Sequence, residues 1–407
     1  MKKFEIPSFY RSPIISQVKA YRKAQDPRKK DFTPTVLDFG NVKLHIARHF
    51  GFCYGVENAI EIAYKAIAEN EGKRIFLLSQ MIHNPSVNDD LIKNGIQFIQ
   101  DTGGKQLIAW DDLTQDDVVI IPAFGTTLEI ENELTTRGIN VTTYNTTCPF
   151  VEKVWNRSEK LAADNHTLII HGKHNHEETR ATFSHTVANT HAVIVKDMDE
   201  AILLGQFITE EKPAALFYEL FEGKYSVGFD PLIHLNKLGV INQTTMLATE
   251  TQAIAEYLKA ITEKVALAKQ VNKTFSDTKD TLCYATNDNQ SATLGLMEVS
   301  LDLAFVVGGY NSSNTTHLVE LLEQKCTTFF IKDATEIVSD TTLNSFDIHQ
   351  HVLTQITDWQ PTNANILDIA ITSGASCPDA TVDEVIQRIL VATNAEKTVD
   401  EVLAQLN

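Results

Sequence analysis

Short runs of consecutive apolar residues alternate along this chain with stretches whose apolar positions recur every three or four residues. The runs read as buried strands and the stretches as amphipathic helices. After Cys53, residues Val56, Ala59, Ile60, Ala63, Ala66 and Ile67 fall on one helical face. Val151, Val154, Trp155, Leu161 and Ala162 repeat that face after Cys148. A shorter stripe, Ala292, Leu296 and Met297, follows Cys283, and Val382, Val385, Ile386, Ile389 and Leu390 give the clearest helix near the end. Strands alternating with helices from Lys43 onward predict an α/β protein with parallel sheets.

The alternation is also a repeat. Cys53, Cys148 and Cys283 each precede a helical stretch, an apolar run (74–78, 167–171, 303–307) and a polar loop. From cysteine to the end of the run the separations are 25, 23 and 24 residues. A second unit recurs as often: an apolar run enters G-T-T at 125–127, T-T at 244–245 and S-G-A-S at 373–376. Ligands of parallel sheets gather at such loops beyond the strand ends, and helix N-termini there suit phosphate. The pattern predicts three similar α/β lobes around a pseudo-threefold axis, with strand ends and cysteines facing inward. The expected boundaries are 54–148, 149–283, and 43–53 together with 284–392, plus an extension at 1–42 and a tail at 393–407. Strand 43–47 is expected to complete the sheet of the last lobe, and 184–235 and 333–360 read as insertions.

Composition narrows the function. A formal charge of −18 over 407 residues argues against general nucleic-acid binding. No apolar run approaches the roughly 18 residues that span a bilayer. Five widely spread cysteines and no secretory h-region fit a reducing compartment, so the cytoplasm is expected, or the plastid stroma in a plant or alga. Residues 1–30 run against the acidic average, with nine Lys or Arg facing Glu5 and Asp26. Such an arm docks on the acidic body, binds an acidic partner, or is a solvated extension.

Thiolates are soft ligands for iron–sulfur clusters, zinc and copper(I). Three thiolates hold a cubane and leave one iron open, whereas a lone buried cysteine is usually a small hydrophobe, the reading kept for Cys326 and Cys377. The loop H-G-K-H-N-H-E-E places His171, His174 and His176 beside Glu177 and Glu178. It reads as a zinc site, or as His176 for an anionic substrate and Glu178 for proton transfer. His83, His176 and Asn314 sit 30, 28 and 31 residues after their cysteines. Together with Ser312 and Ser313 they suggest a diphosphate cradle that binds through hydrogen bonds.

F-G-F-C-Y-G-V-E-N-A, I-H-N-P-S-V-N, N-T-T-C-P-F-V, H-G-K-H-N-H-E-E-T, N-Q-T-T, D-T-L-C-Y-A-T-N-D-N-Q, G-G-Y-N-S-S-N-T and T-S-G-A-S-C-P-D occur in this order between residue 43 and about 392. They resemble the 4-hydroxy-3-methylbut-2-enyl diphosphate reductases of the methylerythritol phosphate route to isoprenoids. The resemblance implies a trefoil of three α/β lobes around one [4Fe–4S] cluster per chain, ligated by Cys53, Cys148 and Cys283. The substrate hydroxyl would bind the open iron and be removed by two electrons and two protons, giving isopentenyl and dimethylallyl diphosphate. It further implies diphosphate contacts from His83, His176, Ser312, Ser313, Asn314 and Ser376. Glu178 becomes the proton source and Thr244 the relay, with Thr245 in the same network. Electrons would come from an external ferredoxin or flavodoxin, with no nucleic acid or membrane partner.

One departure stands out. Many bacterial members carry histidine where this chain has Phe124, in P-A-F-G-T-T. The Phe form, the N-terminal extension and the H-G-K-x-x-H-E-E-T loop resemble the plant and cyanobacterial branch. Either Thr126 or Thr127 replaces the missing donor, or fewer groups hold the diphosphate. A phosphate-ligand binder without catalysis is the competing class, and it would need neither Glu178 nor the thiols.

Overall fold

The computed structural model describes residues 5–276, 281–361 and 366–406. Its strands, in chain order, are β1 (Thr35–Asp38), β2 (Val42–Ile46), β3 (Ile75–Leu77), β4 (Ile96–Phe98), β5 (Val118–Ile120), β6 (Thr167–His171) and β7 (Ala192–Val195). There follow β8 (Lys237–Asn242), β9 (Thr274–Phe275), β10 (Leu303–Val307), β11 (Thr327–Ile331), β12 (Thr342–Asp347), β13 (Val352–Thr357) and β14 (Leu367–Ser373). The chain folds as two compact units, Met1–Glu57 with Ile82–Asp89 and Tyr284–Asn407, and Asn58–Met81 with Asp90–Cys283.

The first unit is built on a five-stranded sheet, ordered β1-β2-β14-β10-β11. Only the β1–β2 edge pair is antiparallel. All five residues of β10 are buried, as a strand covered on both faces requires. The early strand does complete this sheet, with Val42 opposite Leu367. Val382, Val385, Ile386 and Ile389 of helix Asp379–Ala392 pack into the same core. Residues 333–360 supply the antiparallel β12–β13 hairpin.

The basic arm is docked rather than solvated. Ser12 caps helix Pro13–Gln25 and its hydroxyl donates to Asp383 at 2.7 Å. Lys19 pairs with Asp379 at 2.7 Å. Ile15 and Val18 are buried beneath them.

The second unit holds two parallel sheets, β4-β3-β5 and β7-β6-β8-β9. Residues 184–235 are not simply an insertion. They contain β7, whose A-V-I-V run is wholly buried and pairs directly with β6. The helical stripes after Cys53 and Cys148 face inward as expected, with Ile67 and Trp155 half-buried at their margins. The helix after Cys283 is regular over Tyr284–Met297, and its buried face carries Thr286, Asn289, Gln290 and Thr293.

Candidate active site

Each recurring cysteine immediately precedes a helix: Tyr54–Glu69, Pro149–Ala163 and Tyr284–Met297. The chain fixes all three in the same way. The Cys53 N–H donates to the Ala375 carbonyl at 3.2 Å, that of Cys148 to Ala123 at 2.9 Å, and that of Cys283 to Thr244 at 3.2 Å. Each acceptor lies two or three residues beyond a strand end, in the recurring loops after β14, β5 and β8. The two sequence repeats are thus one structural motif, a cysteine hung on the loop of a neighbouring strand. None of the five cysteines is in a disulfide. A thiol at a helix start meets unsatisfied N–H groups and the positive end of the dipole, which favour thiolate.

Within the second unit Cys148 lies in the field of Cys283 and Glu178. Burial pushes the Cys148 thiol up to about 11; the Phe150 N–H opposes this, and the negative charges of Cys283 and Glu178 add to it. Thiols so placed ionise when a cation takes up their charge. Glu178 sits in the first turn of helix Glu177–Val187 and is 1% exposed. Its Oε1 accepts the Thr244 N–H at 2.5 Å and its Oε2 the Thr244 hydroxyl at 2.9 Å. Burial pushes this carboxyl up to about 7, although both Thr244 bonds pull it down. His176 caps the helix: its Nδ1 accepts the Glu178 N–H at 3.1 Å. An accepting Nδ1 leaves the proton of the neutral ring on Nε2, as a donor.

The other predicted binding residues lie in the first unit. Ser312 caps helix Ser313–Leu322, accepting from the Thr315 N–H at 3.4 Å and the Thr315 hydroxyl at 2.9 Å, so its own proton remains to donate. The Asn314 Oδ1 accepts the Ala375 N–H at 2.9 Å, which ties the helix start to the residue holding Cys53. Ser376 donates to the His83 carbonyl at 3.2 Å, so its hydroxyl must turn to reach a ligand. A Cβ on Gly309 would lie 2.4 Å from that carbonyl oxygen, so only glycine fits there. His83, Ser312, Ser313, Asn314 and Ser376 are all buried. Tyr284, next to Cys283, accepts the N–H of Tyr54, next to Cys53, at 2.9 Å.

The histidines of the 171–178 loop separate. The His171 Nδ1 meets the Thr251 hydroxyl at 2.9 Å inside the β6 end, while His176 caps its helix. Among the described residues, no three His, Cys, Asp or Glu side chains gather to bind a single metal ion. Phe124 packs edge-on against the His176 ring, with centroids 5.5 Å apart, and so buttresses the donor beside it. The Thr127 hydroxyl accepts the Ile130 N–H and caps helix Leu128–Thr136.

Sequence reasoning missed two polar clamps. The Gln243 Nε2 donates to the Thr245 hydroxyl at 2.7 Å, while its Oε1 accepts from the Lys173 N–H and the Thr179 hydroxyl. The Asn242 Oδ1 accepts from the Thr281 N–H and hydroxyl at 2.8 and 2.7 Å, anchoring the segment that leads to Cys283. Only their place just before T-T and just before a cysteine could have flagged them.

Parallel sheets, strand-end loops rich in donors, and thiols at three helix starts define an α/β protein. The chain belongs to the LytB protein family, whose profile matches residues 44–390. It is 39% identical over 359 residues to a protein of Synechococcus sp. (strain WH7803) named 4-hydroxy-3-methylbut-2-enyl diphosphate reductase, covering 87% of this chain and 86% of that one. A protein of the same name from Synechocystis sp. is 38% identical over 369 residues, covering 89% and 93%. Two solved reductase structures share the fold. One is described as the terminal enzyme of the non-mevalonate pathway (TM-score 0.51, 24% identity, 85% of this chain and 98% of that one). The other is from Plasmodium falciparum (TM-score 0.61, 22% identity, 86% and 88%). Among the described residues no helix is long and apolar enough to cross a membrane.

Proposed function

We propose that this chain reduces 4-hydroxy-3-methylbut-2-enyl diphosphate to isopentenyl and dimethylallyl diphosphate. The carbon–oxygen bond of the allylic alcohol breaks, the oxygen leaves as water with one proton, and the allyl group takes up two electrons and the second proton. The observation that carries this reading is the threefold motif, in which Cys53, Cys148 and Cys283 sit at helix starts on equivalent backbone hydrogen bonds. Three such thiols fit a [4Fe–4S] cluster, and we assign them as its ligands. When bound, the cluster supplies electrons and a Lewis-acidic iron without a protein ligand.

The remaining chemistry belongs to side chains. With a carboxyl raised to about 7, Glu178 holds its proton near neutrality and is our proton source. Thr244 relays it: its hydroxyl receives the Glu178 proton and turns its own toward the substrate alcohol. Thr245, held by Gln243, lies beside this relay in sequence. The diphosphate falls to His83, His176, Ser312, Ser313, Asn314 and Ser376. His176 offers Nε2–H, and Ser313 opens a helix whose N-terminus favours phosphate. The family resemblance implies an external ferredoxin or flavodoxin as the electron source, and the sequence carries no flavin or nicotinamide fingerprint of its own. The five thiols suit a reducing compartment such as the cytoplasm. We divide the frame into lobes at 54–148, 149–283 and 43–53 with 284–392, each containing one parallel sheet.

The test is iron and acid-labile sulfide per chain in protein purified without oxygen, followed by turnover with a viologen reductant. About four of each, with both products formed, is the expected result. A protein that holds no cluster after anaerobic reconstitution would make the cysteines structural.

A further inference from the structure

Thr315 lies in the first turn of helix Ser313–Leu322, and nothing in the reaction above uses it. It has no exposed surface, so it touches no ligand itself. Its hydroxyl is lodged where two strand-end loops of the first unit meet. One loop follows β10 and begins at Gly308; the other follows β14 and contains Gly374. A Cβ on Gly308 would lie 2.8 Å from the Thr315 Oγ1, and a Cβ on Gly374 would overlap the same atom. Both positions therefore need glycine because Thr315 comes so close. The Gly374 N–H also donates to the Val307 carbonyl at 3.2 Å, so backbone joins the loops at the same point. Each loop supplies proposed diphosphate contacts: Ser312, Ser313 and Asn314 from the first, Ser376 from the second.

The wedged hydroxyl also fixes a proton. Thr315 donates its Oγ1–H to the Ser312 Oγ at 2.9 Å and its N–H to the same oxygen at 3.4 Å. A serine hydroxyl has one donor and two acceptor sites. With both acceptor sites of Ser312 taken, only its own proton is left, and that proton has no acceptor among the described residues. Ser312 is buried, and a buried donor without an acceptor costs free energy until one arrives. An oxyanion accepts and never donates, so it suits such a hydroxyl. A ligand group that must donate finds no lone pair there.

We infer that Thr315 is a positioning residue of the diphosphate cradle. It turns the Ser312 proton outward to a phosphate oxygen and pins the Ser312 loop against the Ser376 loop. This deepens the reading of Ser312 as a diphosphate contact and rests on it.

The test is calorimetric binding of inorganic diphosphate to the anaerobically purified protein and to Thr315→Val, Thr315→Ser, Ser312→Ala and the Ser312→Ala/Thr315→Val double variant. Tm, and KM and kcat in viologen-driven turnover, are measured in parallel. Val keeps the branched shape and loses the hydroxyl; Ser keeps the hydroxyl and loses the methyl. The dissociation constant and KM should rise about tenfold in Thr315→Val, as when a hydrogen bond to a charged group is misdirected, with kcat little changed. Thr315→Ser should bind like the parent. In the Ser312→Ala background Thr315→Val should add nothing, because it acts through that hydroxyl. Normal binding in Thr315→Val with weakened binding in Thr315→Ser would make Thr315 a packing residue and overturn the proposal. So would losses that add in the double variant. Normal binding in Thr315→Val beside weakened binding in Ser312→Ala overturns this proposal alone, whereas normal binding in Ser312→Ala overturns the diphosphate role of Ser312 as well. If Thr315→Val melts far below the parent, Thr315→Ala takes its place with the same expected contrast to Thr315→Ser. Absence of turnover in the unsubstituted protein would instead sink the reductase reading and leave the binding result to stand.

Discussion

Thr244 gives both its N–H and its hydroxyl to the two carboxylate oxygens of Glu178, while its carbonyl takes the N–H of Cys283. One residue thus holds the proposed acid and a proposed cluster ligand at once. The arrangement also sets the protonation of Glu178, because hydrogen bonds to the ionised form oppose the cost of burying it.

Replacing Glu178 with Gln keeps the shape and removes the proton. Cluster content and substrate affinity should stay near normal while kcat falls by about 10²-fold or more. In the unsubstituted enzyme kcat should decline as pH rises past about 7, where the Glu178 proton is lost. Near-normal turnover in Glu178→Gln would remove this residue from proton delivery.

The same carboxyl affects stability. Its value is raised from 4.5 to about 7, so the folded chain keeps a proton that the unfolded chain gives up. Stability from this group is present in full below 4.5 and is lost as pH rises through about 7. Metal-free Glu178→Gln should therefore melt higher than the parent at pH 8, with the gain gone at pH 4. Tm measured across that range checks this, and a pH-independent difference would contradict it.

Cys148→Ser should lower iron and sulfide well below about four per chain. The fold should survive, because the bond to Ala123 is made by backbone atoms. Circular dichroism and metal analysis of the same sample separate the two effects. A full cluster in the variant would take Cys148 out of the ligand set.

Gly309→Ala places a Cβ against the His83 carbonyl, 2.4 Å away, and must shift backbone. Because Ser376 bonds that same carbonyl, two proposed diphosphate contacts move together. KM for the diphosphate should rise at least tenfold, about 1.4 kcal/mol of binding, with cluster content unchanged. An unaltered KM would show that His83 does not touch substrate.

The frame was legible where burial is apolar. Runs such as those of β6, β10 and β14 announce covered strands, and the stripes after Cys53 and Cys148 announce their helices. The helix after Cys283 showed only the short stripe of Ala292, Leu296 and Met297, because much of its buried face is polar. β4 was missed because I-Q-F is too short for a pattern, and β7 because it lies in a stretch taken for decoration. The candidate site was legible as residue types at matching offsets. Its clamps were not, since Gln243 and Asn242 act through long-range hydrogen bonds that leave no local pattern.

The place of β2 bears on how the protein is made. Its partner β14 lies more than 300 residues later in the chain, as does Ala375, which fixes Cys53. A growing polypeptide can assemble much of Asn58–Cys283 while still on the ribosome, but the sheet beneath Cys53 must wait until β14 and Ala375 have been made. An interrupted chain never acquires that sheet. Loading of the proposed cluster through Cys53 would thereby be reserved for molecules that have formed this sheet, a form of quality control written into strand order.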